Sequence, residues 1–346
     1  MSDNPVLTIA VPIYNMERWL EKNLETYRDK KLYNRLEVIC VNNASVDSSK
    51  SIVTKFCLET PEIFHLIDRE IDDYGAAIND AISFASGTYF RIVDSDDWVD
   101  TNELIKQVDK LEACEVDAVL TDYQLVNMRT GAMQPVYAGD KGIEYYRTYT
   151  TLEAPQKTLP SIHTTTYRTA LLKENRFFMQ NGIFYTDEEY VVLPFLHVKT
   201  ILYFPYDIYR YQVANPQQSM SPMNRAKLYL HREKVLRRLI SEYYIAQRNN
   251  VKPQAIAYCK ARINLGVGDH FTTLYIYIKE RKKGRMCAKQ WKTFLQSEAP
   301  EFWVYVRRKV RALYLLNIFH ISLPQYDKLK AQLLRLKWFI AFFKAS

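Results

Sequence analysis

A strand that ends in three carboxylates constrains this chain more than any other feature. Tyr89-Phe90-Arg91-Ile92-Val93 is a run of β-formers after Gly87, and it leads straight into Asp94-Ser95-Asp96-Asp97-Trp98. Acids set that close repel one another and drift toward protonation unless a cation or several donors compensate. A hard divalent cation that also holds phosphate oxygens is the usual compensation. The fold must therefore open a polar crevice at the end of this strand.

Residues 7–120 read as a fold that does so. Leu7-Thr8-Ile9-Ala10-Val11 is a buried-type strand ended by Pro12. Asn15 is placed to cap a helix whose apolar positions Met16, Trp19, Leu20 and Leu24 follow helical spacing. Leu36 to Val41 is a second strand, and Val46 to Leu58 a helix with Asp47 and Ser48 as cap candidates. Phe64 to Ile67 is a third strand, and Gly75 to Ser86 a helix stopped by Gly87. After the carboxylate strand come a helix from Asn102 to Ala113 and a strand from Asp117 to Leu120. This alternation predicts an α/β class fold, a mostly parallel, Rossmann-like sheet flanked by helices. Ligands of such sheets bind beyond the carboxyl ends of the strands. Asn42, Asn43 and Asp94 to Asp97 all stand at such ends and are expected in one crevice.

From about 135 to 222 the alternation breaks into loops and short aromatic strands, with seven prolines between Pro135 and Pro222. Substrate loops often read this way. From 224 onward the text is helical, basic and aromatic. Eleven Lys and Arg against three acids between Lys279 and Arg311 leave a surplus of eight, equal to the whole formal charge of +8. The rest of the chain is therefore neutral. Five scattered cysteines form no Cys-x-x-Cys pair, which argues against zinc and against a disulfide framework. Free thiols, an N-terminus without a basic start or signal-type stretch, and the absence of a run of about 20 apolar residues predict a cytoplasmic protein without a spanning helix.

Four further motifs accompany the carboxylates. Val11-Pro12-Ile13-Tyr14-Asn15 is followed 27 positions on by Asn42-Asn43-Ala44-Ser45-Val46-Asp47. Tyr74-Gly75-Ala76-Ala77-Ile78-Asn79 precedes the carboxylate strand, and Thr186-Asp187-Glu188-Glu189 follows 90 residues after it. Each alone reads equally as a turn, a cap or a solvated helix start. In this order and spacing they resemble glycosyltransferase family 2 over about residues 5–222.

The resemblance implies a GT-A fold in residues 1–223, with a donor half to about 125, an acceptor half over 126–223, and a helical C-terminal domain over 224–346. It implies an inverting, metal-dependent transfer of a sugar from a nucleotide-sugar donor, expected to be a UDP-sugar. The acceptor would be a hydroxyl of a cell-surface or exported glycan or its lipid-linked precursor. Donor contacts fall on Pro12, Tyr14, Asn15, Asn42, Asn43, Ser45, Gly75, Asn79, Asp94 and Ser95. Asp96 and Asp94 are the expected ligands of Mn2+ or Mg2+, which suit hard oxygen donors. Asp187 is the candidate base, with Glu188 its rival, because Thr186 stands where the family usually has Glu. Asn43 stands where many members carry Asp, and Ile78 where Arg or Lys is common. The loop Tyr209-Arg210-Tyr211-Gln212 lacks the His often present there, leaving Arg210 and Gln212 as stand-ins, and His163 is a candidate acceptor contact or a packing histidine.

The basic, aromatic segment 279–346 admits docking on an anionic membrane at the inner face of the cell membrane, or self-packing and a homo-oligomer. Nucleic acid is not expected, since no nucleic-acid motif accompanies the charge. Two other readings compete. An aspartate-nucleophile phosphohydrolase also places Asp-x-Asp at a strand tip, but on its first strand rather than its fourth. A non-catalytic, membrane-associated scaffold with a degenerate transferase fold would account for Asn43, Ile78 and Thr186.

Overall fold

The computed structural model describes residues 4–139, 142–150, 160–213 and 221–332. Along the chain run β1 (Leu7–Ile13), α1 (Glu17–Glu25), β2 (Leu36–Asn43), α2 (Ser49–Glu59), β3 (Phe64–Arg69), α3 (Tyr74–Phe84), β4 (Tyr89–Ile92), β5 (Trp98–Val99) and α4 (Thr101–Leu111). Then follow β6 (Ala118–Asn127), β7 (Met133–Val136), β8 (Thr148–Thr150), β9 (Thr165–Arg168), α5 (Thr169–Glu174), α6 (Asp187–Val192) and β10 (Thr200–Val213). Helices α7 (Pro222–Lys227), α8 (Tyr229–Arg248), α9 (Pro253–Thr272), α10 (Arg281–Glu298) and α11 (Pro300–Ile318) follow, and residues 323–332 are helical as well.

The strands form one sheet in the order β3-β2-β1-β4-β9-β6-β10-β5. Its first four strands are parallel, as the alternation predicts. Beyond β4 the sheet is mixed: β9 runs antiparallel between β4 and β6, and β10 pairs parallel with β6. Strand β10 is 14 residues long and shifts register between Phe204 and Tyr209. That irregularity re-aims its second half, so Tyr209, Arg210 and Gln212 sit close to the carboxylate strand's end.

Burial explains the strand sequences. Every residue of β1 and β2 is buried, which is why both read as apolar runs without alternation. Each fully buried Val, Leu or Ile there contributes about 1.5–3 kcal/mol. Apart from Asn42 and Asn43 at the end of β2, Thr8 and Glu37 are the polar exceptions, and each has work: Thr8 Oγ1 donates to Glu37 Oε2 and accepts from Gly87 N at 2.9 Å. Glu37 also takes the Ser86 N–H at 2.9 Å. This knot fixes where β4 begins. Gly87 is needed for close approach rather than as a left-handed helix stop, since a Cβ there would lie 2.6 Å from Thr8 N. Asp73 and Asp100 cap α3 and α4 by accepting from Ala76 N and Glu103 N, both at 3.1 Å.

Two compact units emerge. The first holds residues 1–216 and 241–260, and the second holds 217–240 and 261–346. Unit 1 contains the whole sheet. Unit 2 is helical, packed around Trp291, Phe302 and Phe271, all 0% exposed.

Candidate active site

The chain beyond β4 turns at once, with Asp97 N donating to Asp94 O at 3.0 Å. Three elements hold that turn. From α1, Asn23 Nδ2 donates to the carbonyls of Asp97 and Asp94 at 2.8 and 3.2 Å. From β10, Tyr209 Oη donates to Asp97 Oδ2 at 2.7 Å and accepts the Asp94 N–H at 3.1 Å. Also from β10, Gln212 gives its backbone N–H to Asp97 Oδ1 at 2.7 Å and its side-chain amide to the Asp96 carbonyl. Asp97 is thus fully engaged and 2% exposed: it orders the turn.

Asp94 and Asp96 are held differently. Tyr74 Oη donates to Asp94 Oδ1 at 2.9 Å. The Asp96 carboxylate meets only its own backbone N–H among the described residues. Burial, then the charges of Asp96 and Asp187, push Asp94 up to about 7 against the pull of Tyr74. Burial likewise raises Asp96. Asp97 is pushed well up by burial and then by Asp96 and Asp94. No cation counts among the influences on any of the three.

A divalent cation fits this donor set. Ligand atoms of Asp94, Asp97 and His163 lie within 4.8 Å of one another. Each Asp97 oxygen already accepts one hydrogen bond, from Tyr209 or Gln212, while the second oxygen of Asp94 accepts none among the described residues and Asp96 accepts only its own backbone N–H. Carboxylate oxygens are hard donors of the kind a divalent cation takes.

The residues that the resemblance assigns to the nucleoside gather at the ends of β1 and β2. Pro12 lies within β1, and Tyr14 beyond it is 43% exposed. Asn15 does not cap α1, whose N-cap is Met16. It takes a left-handed φ of 53° and crosses to the second loop, accepting from Val46 N at 2.9 Å while its own N–H bonds Ser45 Oγ at 3.1 Å. The two loops are thereby tied into one wall. Asn42 Nδ2 donates to Asp68 at 2.7 Å. Asn42 and Asn43 are each 2% exposed, with Oδ1 atoms lacking a hydrogen-bond partner. Such orphaned buried acceptors are costly unless a ligand donates to them. Ser95 is buried within the carboxylate turn.

Gly75 and Asn79 face the chain from the acceptor half. A Cβ at Gly75 would lie 2.2 Å from Gln180 O. Asn79 accepts from Met179 N at 2.7 Å and donates to Met179 O at 2.9 Å. Asp73 adds Gly182 N at 2.8 Å, and Glu189 adds Gln180 N at 2.8 Å. Where the resemblance assigns Gly75 and Asn79 to the donor, the structure uses both to clamp residues 179–182. The clamp has a consequence: the clamped segment delivers α6, whose first turn carries Asp187, Glu188 and Glu189. Asp187 comes close enough for its charge to raise Asp94, Tyr74 and Tyr211. Ile78 is 0% exposed in the core face of α3, and Thr186 is 1% exposed.

His163 stacks on Tyr211 with ring centroids 4.1 Å apart and meets Tyr209 edge-on at 4.8 Å. Burial, and secondarily Arg91, lower it to about 3, so it is neutral. Arg210 is spent on Asp100, at 3.0 Å, and on the Asp207 carbonyl. Residues that motif reading passed over are Asn23, Tyr74, Tyr209 and Arg91. Arg91 is 0% exposed and without a carboxylate among the described residues. It donates to Thr121 Oγ1 at 3.0 Å, to Thr166 Oγ1 at 3.4 Å and to the His163 carbonyl.

Comparison with known proteins bears on this geometry. Residues 8–176 match the sequence model described as glycosyl transferase family 2. Glycosyltransferase GlyA of Streptococcus pneumoniae is 28% identical over 179 residues, 49% of this chain and 25% of that protein. The poly(ribitol-phosphate) beta-glucosyltransferase of Bacillus spizizenii is 29% identical over 126 residues, 36% of this chain and 20% of its own length. This chain therefore spans well under two thirds of these relatives. Residues 1–349 of TarS from S. aureus, solved in complex with UDP-GlcNAc, superpose with a TM-score of 0.53 at 18% identity, covering 90% of this chain and 91% of that one. The fold is that of the GT-A glycosyltransferases.

Proposed function

We propose that this chain, a member of glycosyl transferase family 2, transfers a sugar from a nucleotide-sugar donor to a hydroxyl of a surface or exported glycan or its lipid-linked precursor. The observation that carries this reading is the convergence of Asp94 and Asp96 with Asp187, three acids from two distant segments, at the carboxyl end of a parallel sheet. An aspartate-nucleophile phosphohydrolase carries its Asp-x-Asp on the first strand, whereas here it follows β4. A scaffold would gain nothing from acids raised by mutual repulsion.

In this reading residues 1–223 are the catalytic domain and residues 224–346 a helical C-terminal domain. Asp96 and Asp94 would hold Mn2+ or Mg2+, which would supply electrostatic stabilisation to a leaving nucleoside diphosphate. Tyr74 keeps Asp94 oriented. Tyr14, Asn15 and Ser45 wall the nucleoside, and the orphaned Oδ1 atoms of Asn42 and Asn43 accept from its base. A uridine donor is the best fit, because TarS is solved with UDP-GlcNAc and with UDP. Asp187 takes the proton of the acceptor hydroxyl as that oxygen attacks the anomeric carbon from the face opposite the diphosphate, which inverts the centre. Glu188 follows it in the same helical turn and is the alternate base. The clamp of Gly75, Asn79, Asp73 and Glu189 fixes where Asp187 stands relative to the donor. Gln212 and Tyr209 act on the site by locking Asp97, and His163 lines its wall.

Incubation with Mn2+ and a panel of nucleotide sugars tests the reading. One donor should be hydrolysed slowly without acceptor and transferred with it. Absence of turnover and of metal-dependent nucleotide binding across the panel would remove it.

A further inference from the structure

The basic, aromatic signal of the C-terminal region splits in two in the folded chain. Much of it is internal. Arg281 donates to the carbonyls of Tyr275 and Ile321, Arg285 to Asn317 Oδ1 at 2.7 Å, and Trp291 is 0% exposed. Helix α11 is different. It buries Phe302, Val306, Val310, Leu313 and Asn317 along one stripe. Its opposite face leaves Val304 55%, Leu315 53%, Ile318 40% and, just past its end, Phe319 74% exposed. Positions 304, 308, 311, 315 and 318 share one helical stripe, so Arg308 and Arg311 interleave with these apolar groups, and Arg307 flanks them. None of the three arginines has an ion-pair partner among the described residues, and the one acid of α11, Glu301, lies in its first turn.

We propose that this outer face of α11 docks on an anionic lipid bilayer. The exposed aliphatic and aromatic side chains enter the interface, and the arginines bind lipid phosphates while their stems lie along the apolar surface. The charge pattern selects this occupant. A second copy of the chain would bring three unpaired arginines against their own mates with no acid to meet them. A nucleic acid would satisfy the arginines but leave Val304, Leu315, Ile318 and Phe319 against a polar surface. Docking is independent of the reaction proposed above. Among the described residues no helix is long and apolar enough to cross a membrane, so this face lies on the bilayer rather than in it.

Flotation of the full chain with vesicles tests the assignment. Binding is expected to phosphatidylcholine vesicles that contain about a third phosphatidylglycerol, and to be weak on phosphatidylcholine alone. Replacing Arg307, Arg308 and Arg311 together by Gln should weaken the charged-vesicle binding about a hundredfold. Leu315→Asp with Phe319→Asp should weaken it at least tenfold, with melting unchanged in both variants because all these side chains are exposed. Loss in both variants carries the proposal. Unchanged binding in either variant, or no binding by the parent, overturns it. It is equally overturned if the Asp variant instead abolishes a dimer seen by sedimentation, or if the parent binds single-stranded RNA more tightly than charged vesicles and the Asp variant leaves that RNA binding intact.

Discussion

The carboxylate turn of unit 1 and the acids of unit 2 are handled in opposite ways. Unit 2 pairs its acids. Arg225 bonds Asp269 and lies within 3.1 Å of Thr273 Oγ1, and Arg237 places Nη2 2.6 Å from Glu233. Both acids are held below their ordinary range: against its burial, Glu233 is lowered by His270 and then Arg237, and the partly exposed Asp269 by Arg225. Unit 1 pairs some buried charges too, Arg210 with Asp100 at 3.0 Å and Asp117 with Arg168 at 2.7 Å, but keeps them apart around the carboxylate turn. Arg91 is buried among hydroxyls and a carbonyl, while Asp94, Asp96 and Asp97 are buried without a cation and driven upward. Compensated acids lend stability to a fold. Acids left uncompensated at a strand end are tolerated where something that binds there completes them.

The largest break of this contrast should come from Asp187→Asn. Removing the proposed base should lower kcat about a thousandfold while leaving nucleotide affinity within a factor of about three. Single-turnover transfer and nucleotide titration measure the two separately. Retained turnover would move the role to Glu188. Asp96→Ala should do the reverse, weakening Mn2+-dependent UDP binding at least tenfold in calorimetry. Equal affinity with and without Mn2+ in the parent would mean that the acids need no cation.

Arg91→Met asks whether the buried cation of unit 1 is a strut. Thr121, Thr166 and the His163 carbonyl would lose their donor in a dry site, a cost of about 2–4 kcal/mol. The midpoint of urea unfolding should fall with the slope unchanged. A neutral or stabilising result would show that desolvating Arg91 costs as much as its bonds return. In unit 2 the matching change, Arg225→Gln, strands Asp269 beside fewer donors and should cost about 1–2 kcal/mol, less because the Asp269 side chain is 41% exposed.

What could be read from the chain follows the same division. The four strand–helix repeats and the strand-tip acids were legible because each is local: apolar runs, caps and glycines act within about ten residues. The clamp was not legible. Asn79 and Met179 are 100 residues apart, and Gly75 reads as a helix residue until the Gln180 carbonyl beside it is seen. Arg91 was invisible for another reason: in a four-residue strand a cation reads as the solvent face, yet β9 and β6 cover it. The long β10 was obscured because its register shift between Phe204 and Tyr209 mimics a loop, and that shift is what brings Tyr209 to Asp97. In unit 2 the basic run announced a surface, and only packing shows which of its charges turn inward.

The smallest expected effect concerns pH. His270 is 0% exposed in unit 2, and burial lowers its pKa more than Glu233 raises it. Glu233 Oε2 stands 3.8 Å from His270 Nε2, beyond a hydrogen bond, and the acid already binds Arg237. The folded protein therefore resists a proton that the unfolded chain accepts near its ordinary value of about 6.5. Below that pH the unfolded state binds more protons, so stability falls as pH drops through about 6.5 and is flat above it. Melting temperatures between pH 8 and 5.5 should decline in the parent and decline less in His270→Gln. An equal decline in the variant would assign the loss to the other histidines with lowered values, among them His163 in the wall of the active site. His163 and His197 lie in unit 1 and His231 in unit 2, so the same comparison at His163 and His231 would then say which unit carries the acid sensitivity.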